Sequence, residues 1–170
     1  MTDAGPRIRP ATAQDWTGIW PFYRAIVDEG ESYSYPSPAD EAVSREIWMG
    51  PEAGTVVVAV DADGRVLGSA KWGSNRPGGR GAHVATASFM VDRGSAGRGV
   101  GRALGEHVLA AARAAGYASM QFNAVVESNL PAVRLWESLG FAVVGRVPGA
   151  YDSATHGRVA LLIMWRSLQD

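Results

Sequence analysis

In the stretch VATASFMVDRGSAGRGVG, residues 84–101, a run of eight mainly apolar residues leads into a cluster of glycines. The β-branched and aromatic residues of the run predict a strand over 84–91. Apolar residues at helical spacing after the cluster predict a helix from about Gly99 to Ala115. A further strand predicted at 119–126 would complete a β-α-β unit, which is a right-handed crossover between parallel strands.

The glycine turn is a candidate anion-binding site. The unpaired amides of a first helical turn point outward, and the helix dipole favours negative charge there. Glycine lets the backbone approach a ligand closely, and flanking Arg98 and Arg102 could add charge-assisted contacts. The alternative is a tight turn without a ligand, but one glycine would serve a turn, whereas Gly97, Gly99 and Gly101 alternate.

Three phosphate ligands compete for such a turn. A nucleoside-triphosphate P-loop needs Gly-Lys-Ser/Thr after four spacer residues, and the turn contains no lysine or threonine. A dinucleotide fingerprint counted from Gly97 needs glycine where the chain has Arg102. The pyrophosphate of coenzyme A remains.

The order of the other predicted elements defines the fold class. They are, in chain order, strand 7–9, a helix that starts at Thr12 and kinks or restarts at Pro21, loop 31–38, helix 39–49 with Val43 and Ile47 inward, hairpin strands 55–60 and 66–72, loop 76–81, helix 130–139 ended by Gly140, and strands 141–147 and 158–165 joined by a Pro-Gly loop. The order β-α-α-β-β-β-α-β-α-β-β predicts an α/β fold with a mixed, mostly antiparallel sheet of about seven strands and about four helices. We expect one domain over residues 1–170.

Composition excludes several classes of function. The net charge of −1 removes the basic footprint on which nucleic-acid binding depends. The absence of cysteine excludes disulfides, thiolate metal sites and a cysteine nucleophile. No window reaches 18 consecutive apolar residues, and the first nine residues have no apolar signal core. We therefore expect a cytoplasmic protein with no membrane partner and no metal.

Two blocks of sequence resemble a known family, the GCN5-related N-acetyltransferases (GNAT). The family's phosphate motif is Gln/Arg-x-x-Gly-x-Gly/Ala, and this chain has Ala96-Gly-Arg-Gly-Val-Gly101, with Ala96 at the leading position. The second block is Asn129, Ala132, Trp136 and then Gly140-Phe141. The resemblance covers essentially the whole chain and implies the GNAT fold with acetyl-CoA as co-substrate.

The resemblance assigns residues to the coenzyme. It implies that the backbone of Met90 and Val91 pairs with the pantetheine arm, and that Asn129 hydrogen-bonds the coenzyme as well as capping a helix. Many relatives have a tyrosine acid where this chain has Trp136, so Trp136 is interpreted as a packing wall or as core. The backbone amides implied to hold the pyrophosphate are those of Gly97, Arg98, Gly99, Val100, Gly101 and Arg102.

The acceptor side is less determined. Phe122–Asn129 and Gly145–Gly149 resemble acetyltransferases of proline analogues such as azetidine-2-carboxylate, which implies that Asn123 binds substrate. A second substrate asparagine of that group is replaced here by Thr86. From the residues alone, Asn123 within a strand needs either a backbone partner or a substrate.

Three further residues are candidates for acceptor binding or catalysis. Glu127 follows a strand and is a candidate base, with a surface role as the alternative. Glu31 and Tyr33, in the aromatic loop 31–38, are candidates for substrate recognition.

The sequence thus predicts an acetyl-CoA-dependent N-acetyltransferase acting on the amine of a small molecule, which could be an amino acid or a proline-like imino acid. Three alternatives stay open: a non-catalytic acetyl-CoA sensor, an O-acetyltransferase and a protein N-terminal acetyltransferase. A homodimer is also possible.

Overall fold

The computed structural model describes residues 5–169. Within them the predicted order of elements is confirmed. The elements are β1 (Arg7–Pro10), α1 (Trp16–Glu29), α2 (Glu41–Met49), β2 (Thr55–Val60), β3 (Val66–Ser74), β4 (Val84–Val91), α3 (Val100–Ala114), β5 (Ser119–Val126), α4 (Leu130–Ser138), β6 (Ala142–Ser153) and β7 (Gly157–Ser167).

The seven strands form one sheet in the order β1-β2-β3-β4-β5-β7-β6. Every neighbouring pair is antiparallel except β4 and β5, which are parallel. This confirms the predicted mixed, mostly antiparallel sheet of an α/β fold. β4 and β5 pair only at Val84–Ser119 and Ala85–Met120, so they separate toward their carboxyl ends.

Each face of the sheet carries its own core. Helices α3 and α4 cover one face, where Leu104, Val108 and Trp136 pack with apolar residues of the central strands. Helix α1 and Trp48 of α2 pack on the other face, around Tyr23 and Met90. The two cores meet at the separation between β4 and β5, which is therefore the natural place for a cleft. No helix in residues 5–169 is long and apolar enough to cross a membrane.

The first helix differs from its prediction. The capping box is present, since Asp15 accepts a hydrogen bond from the Thr12 amide at 2.7 Å. The predicted restart at Pro21 is wrong, because α1 runs unbroken from Trp16 to Glu29. An internal proline removes one backbone hydrogen bond. Buried Trp16 and Tyr23, whose tilted rings lie 5.7 Å apart, anchor the helix in the core on either side of Pro21.

Two other predictions are corrected. In α2 the inward residues are Ser44 and Trp48, while Val43 is 48% exposed, because the Trp48 indole reaches the sheet to donate to Ser69 Oγ at 2.9 Å. The predicted Pro-Gly loop after residue 147 is part of β6, where the register against β7 shifts between Val147 and Tyr151. A bulge absorbs the proline that a regular ladder would reject.

Candidate active site

A cleft of about 1220 Å³ opens where β4 and β5 separate. The glycine turn before α3 and the start of α4 border one end of it. Loop 31–38, the end of β3 and the turn between β6 and β7 border the other end. The cleft thus connects the two faces of the sheet, and most of the residues predicted for the site lie along it.

The glycine turn has the geometry of an anion cradle. Gly97 and Gly99 have φ of +76° and +74°, a region that L side chains rarely adopt, and no described atom lies within 4 Å of where a side chain would begin on either residue. The first helical bond of α3 runs from Ala103 N to Gly99 O at 2.9 Å, so the amides of Val100, Gly101 and Arg102 have no helical partner. The Arg98 amide, by contrast, donates to Ser95 O at 3.3 Å. The amides without a helical partner fit the pyrophosphate of acetyl-CoA.

The arginines of the turn have different positions. Arg98 is exposed within the turn. The Arg102 guanidinium donates to Ser138 Oγ at 2.8 Å and to Glu106 at 3.4 Å, so it ties α3 to α4. Its predicted role is therefore limited to its backbone amide. Gly101 lies against Leu135, 3.2 Å from where its own side chain would begin, and so allows α3 to approach α4 closely.

The alternation of β4 decides which backbone groups face the cleft. Asp92 N donates to Leu67 O at 2.9 Å, and antiparallel ladders alternate, so Met90 bonds to β3 while Phe89 and Val91 point away from it. This geometry supports the prediction that the backbone of Val91 pairs with the pantetheine arm. It does not support the same prediction for Met90, because the backbone groups of Met90 bond to β3.

Tyr33 occupies the other cleft-facing position of β4. Its hydroxyl donates to Phe89 O at 2.5 Å and accepts from Phe89 N at 3.0 Å, as a neighbouring strand would. Burial raises the pKa of the Tyr33 phenol far above its usual range, which keeps it protonated. Tyr33 therefore anchors loop 31–38 over the cleft.

Asn129 and Trp136 border the same end of the cleft as the glycine turn. Asn129 is the N-cap of α4, accepting from Ala132 N at 3.4 Å, so its helix-capping role is confirmed while its coenzyme role stays a prediction. Trp136 is 8% exposed and packs with Phe89 and Phe122 at ring distances of 4.7 and 4.8 Å. Trp136 is thus part of the core and also part of the cleft wall, which were the two alternative interpretations of this residue from the sequence.

Asn123 has partners that the sequence did not suggest. Its amide and that of Asn75 bond reciprocally, at 2.6 and 3.2 Å, and Gln121 Nε2 donates to Asn123 Oδ1 at 2.9 Å. A strand asparagine needs a partner only where it is buried, but Asn123 is exposed to the cleft at a bulge between Phe122 and Val125. Side-chain amides replace the expected backbone partner.

A polar floor surrounds Asn123 on the α1 and α2 side of the sheet. Thr86 and Ser88 of β4 both line the cleft there, as the alternation of the strand predicted. Lys71 of β3 completes the floor, and Asn75, which follows β3, bonds to Asn123 from outside the lining; both were missed. Asn75 stands in an Asn-Arg-Pro-Gly context typical of turns, and the signal at Lys71 was that it is the single lysine of the chain.

The two candidate carboxylates are already engaged. Glu31 lines the cleft and accepts from Ser153 Oγ at 2.6 Å and from Thr155 N at 2.9 Å, contacts that lower its pKa. Glu127 lies outside the cleft lining and pairs with Arg146 through two contacts of 2.7 and 2.9 Å, which lower the pKa of Glu127. A carboxylate held in this way is a weak proton acceptor, so the geometry does not support Glu127 as the base.

Similar proteins agree with this architecture. The sequence pattern of the acetyltransferase (GNAT) family matches residues 18–141. A GCN5-related N-acetyltransferase from Kribbella flavida has 50% identity and a TM-score of 0.91, over 96% of this chain and 98% of that one. The L-methionine sulfoximine/L-methionine sulfone acetyltransferase of Pseudomonas aeruginosa is 33% identical over 146 residues, 83% of each chain.

A more distant relative is longer. N-acetyltransferase aca1 of Schizosaccharomyces pombe is 28% identical over 123 residues, which are 72% of this chain and 58% of that protein. A mixed sheet with a glycine turn at the separation of two parallel strands defines an acyltransferase fold. The chain belongs to the acetyltransferase (GNAT) family. The predicted family, fold class and acetyltransferase activity class are thereby confirmed.

Proposed function

We propose that this protein transfers the acetyl group of acetyl-CoA to the amine of a small polar molecule. The observation that carries the proposal is one cleft that runs from Ala96 and Gly101, on either side of the glycine turn, to a floor of side-chain amide and hydroxyl groups. Acetyl-CoA supplies the activated acyl group as a thioester. The chain's own groups orient the two substrates and exclude water.

On the donor side, the protein acts through its backbone. The amides near Gly99 would hold the pyrophosphate, and the cleft-facing backbone of Val91 would pair with the pantetheine arm as an added strand. Asn129 and Trp136 border the same end of the cleft. The indole of Trp136 is a poor acid. Tyr117, the other candidate acid, packs against Trp72 and does not itself line the cleft. We therefore assign the protonation of the departing thiolate to water.

On the acceptor side, the protein acts through side chains. Asn123 keeps its amide at the cleft surface, and Thr86 lies on the same floor, so both are placed to hydrogen-bond polar substituents of the acceptor. Glu31 and Tyr33 close this end from loop 31–38. The 33% identical relative from Pseudomonas aeruginosa is named for amino-acid acceptors, which supports an amino acid or imino acid here.

Three broader expectations accompany the proposal. We treat residues 1–170 as one N-acetyltransferase domain in the cytoplasm, and a homodimer stays a prediction. The metal-free expectation is unchanged: residues 5–169 hold no group of three or more His, Cys, Asp or Glu side chains arranged to bind an ion.

The test is release of free CoA thiol from acetyl-CoA in the presence of an acceptor panel. The panel contains L-methionine sulfoximine, phosphinothricin, azetidine-2-carboxylate, free amino acids, simple alcohols and short peptides with free N-termini. Acceleration by one of the amino or imino acids, with the N-acetyl product identified by mass, supports the proposal. Selective acceleration by alcohols or peptides would point to the O-acetyl or N-terminal alternatives. Heat stabilisation by acetyl-CoA without release by any acceptor would point to the sensor.

A further inference from the structure

Lys71 is the single lysine of the chain, because the other 15 of its 16 basic residues are arginines. The two residue types differ chemically. Arginine stays protonated in proteins, whereas a half-buried lysine shifts its pKa readily and can then give up its proton. Lys71 is therefore the one side-chain amine of this protein, beside three histidines as its other basic residues that are not arginine.

The surroundings of Lys71 act on its charge in opposite directions: burial disfavours the ammonium, whereas two ring faces and a backbone carbonyl stabilise it. Its side chain is half-buried in the floor of the cleft, between the rings of Tyr35 and Trp48 at 5.9 and 5.5 Å. The Nζ donates to Ile47 O at 2.7 Å, which uses one of the three N–H groups of an ammonium. Burial lowers the pKa of Lys71.

Among residues 5–169, no carboxylate forms an ion pair with Lys71 to oppose this effect. The neighbouring strands β2 and β4 contain no ionisable side chain. The ionisable side chains on the other segments around Lys71, which are loop 31–38, α2 and the turn after it, are Glu31, Tyr33, Tyr35, Glu41, Arg45, Glu46 and Glu52.

Lys71 also lies where the acceptor would sit. Lys71 is paired with Ser88 on β4. The next residue of β4 is Phe89, whose backbone faces the cleft. Lys71 shares the floor with Thr86 and Asn123. Glu31 accepts from Ser153 and Thr155, and Glu127 lies outside the cleft lining. Lys71 is therefore the amine that the acceptor side offers, and the imidazole of His156 lies in the same lining.

We propose that Lys71 is the general base of the transfer, which rests on the function proposed above. Its neutral Nζ takes one proton from the acceptor ammonium and becomes an ammonium itself. The freed amine attacks the thioester carbonyl, the new C–N bond forms and the C–S bond breaks. The second amine proton leaves to water, the CoA thiolate is protonated from water, and Lys71 returns its proton to solvent.

The decisive comparison is between Lys71→Arg and Lys71→Met. Arginine keeps the positive charge but cannot accept a proton at neutral pH, so a base predicts that both variants lose about 10²–10⁴-fold in kcat at saturating acceptor. The ascending, low-pH limb that the ionisation of Lys71 gives the wild-type pH profile of kcat should disappear in both. Acetyl-CoA affinity by calorimetry should be unchanged. Arg45→Met, which removes an exposed charge from α2, is the matched control and should behave as wild type.

Because Lys71 is the only lysine, its ionisation can be followed directly. Protein labelled with [¹³Cε]-lysine should give one resonance, and its titration midpoint should lie below the usual value of about 10.4. If kcat of the Lys71→Arg variant stays within about threefold of wild type, Lys71 is not the general base. Its positive charge would then serve to bind an anionic group of the acceptor. An unshifted midpoint would overturn the proposed base as well. If no acceptor accelerates CoA release by the wild type, the proposed function itself fails, which is a different result from active Lys71 variants.

Discussion

The two ends of the cleft are built in opposite ways. The donor end is made mainly of backbone from a single short segment between Val91 and Arg102, and its key groups are amides and two glycines with positive φ. The acceptor end is made of side chains from loop 31–38, β3, β4, β5 and the turn before β7. Local backbone geometry is therefore enough to hold acetyl-CoA, the ligand that the family shares. Selecting a particular acceptor needs side chains that the sheet brings together from distant parts of the chain.

The largest effect that would test this comparison is expected at Asn123. Asn123→Ala removes the exposed amide of the floor, and we expect kcat/KM for the acceptor to fall about 10–100-fold, the size of one or two charge-assisted hydrogen bonds. Acetyl-CoA affinity should stay the same. Steady-state kinetics with varied acceptor and calorimetry with acetyl-CoA measure the two quantities.

Asn75→Ala is the companion variant to Asn123→Ala. If Asn75 only orients Asn123, Asn75→Ala should lower kcat/KM for the acceptor less than Asn123→Ala does. The double variant should then lower kcat/KM no more than Asn123→Ala alone. A loss of coenzyme affinity in Asn123→Ala would break the division between the two ends.

The next effect is expected at Gly99. A β-branched residue at φ of +74° strains the turn and places a side chain where the pyrophosphate would approach. Gly99→Val should therefore raise the acetyl-CoA Kd at least tenfold, about 1.4 kcal/mol. Gly116→Val, with φ of +88° and equally open surroundings at the far end of α3, carries similar strain and should leave the Kd unchanged. Equal affinities in both folded variants would remove the glycine turn from the donor end.

A smaller effect is expected at Trp136, which borders the donor end by packing. Trp136→Phe should keep kcat within about tenfold, since loss of a true acid typically costs about 10²–10⁴. The smaller ring leaves a gap beside Phe89 and Phe122, so thermal stability should fall. A thousandfold loss of kcat with intact coenzyme affinity would show that Trp136 takes part in proton transfer.

The smallest kinetic effect is expected at Asp15, which belongs to neither end. The Arg9 guanidinium, 2.7 Å away, and the Thr12 amide lower the pKa of this buried carboxyl to about 2. Because the folded pKa lies below the unfolded value, the stabilisation is complete above about pH 4 and is lost as pH falls toward 2. Asp15→Asn should lower Tm at pH 7 and flatten its acid dependence, with acetyl-CoA and acceptor constants unchanged.

Sequence patterns predicted the elements well where one local rule dominated. The β-α-β unit around the glycine turn, the N-cap at Asn129 and the hairpin of β2 and β3 follow from spacing, capping and turn residues. Prediction was wrong where tertiary packing decided. Helix α1 continues through Pro21 because its aromatic side packs on the sheet, and α2 turns Trp48 inward because Ser69 accepts its indole proton.

For the site, the sequence by itself determined the family and the glycine turn that we propose for the donor end. The reason is that conformations that only glycine adopts freely, and unpaired helical amides, depend on residues close in the chain. Only the tertiary structure decided the acceptor end. It paired Asn123 with Asn75, 48 residues away, engaged Glu127 with Arg146, and placed the half-buried Lys71 on the floor of the cleft. The physical reason is that hydrogen bonding, ion pairing and burial of a side chain depend on its neighbours in space, which strand order and register create.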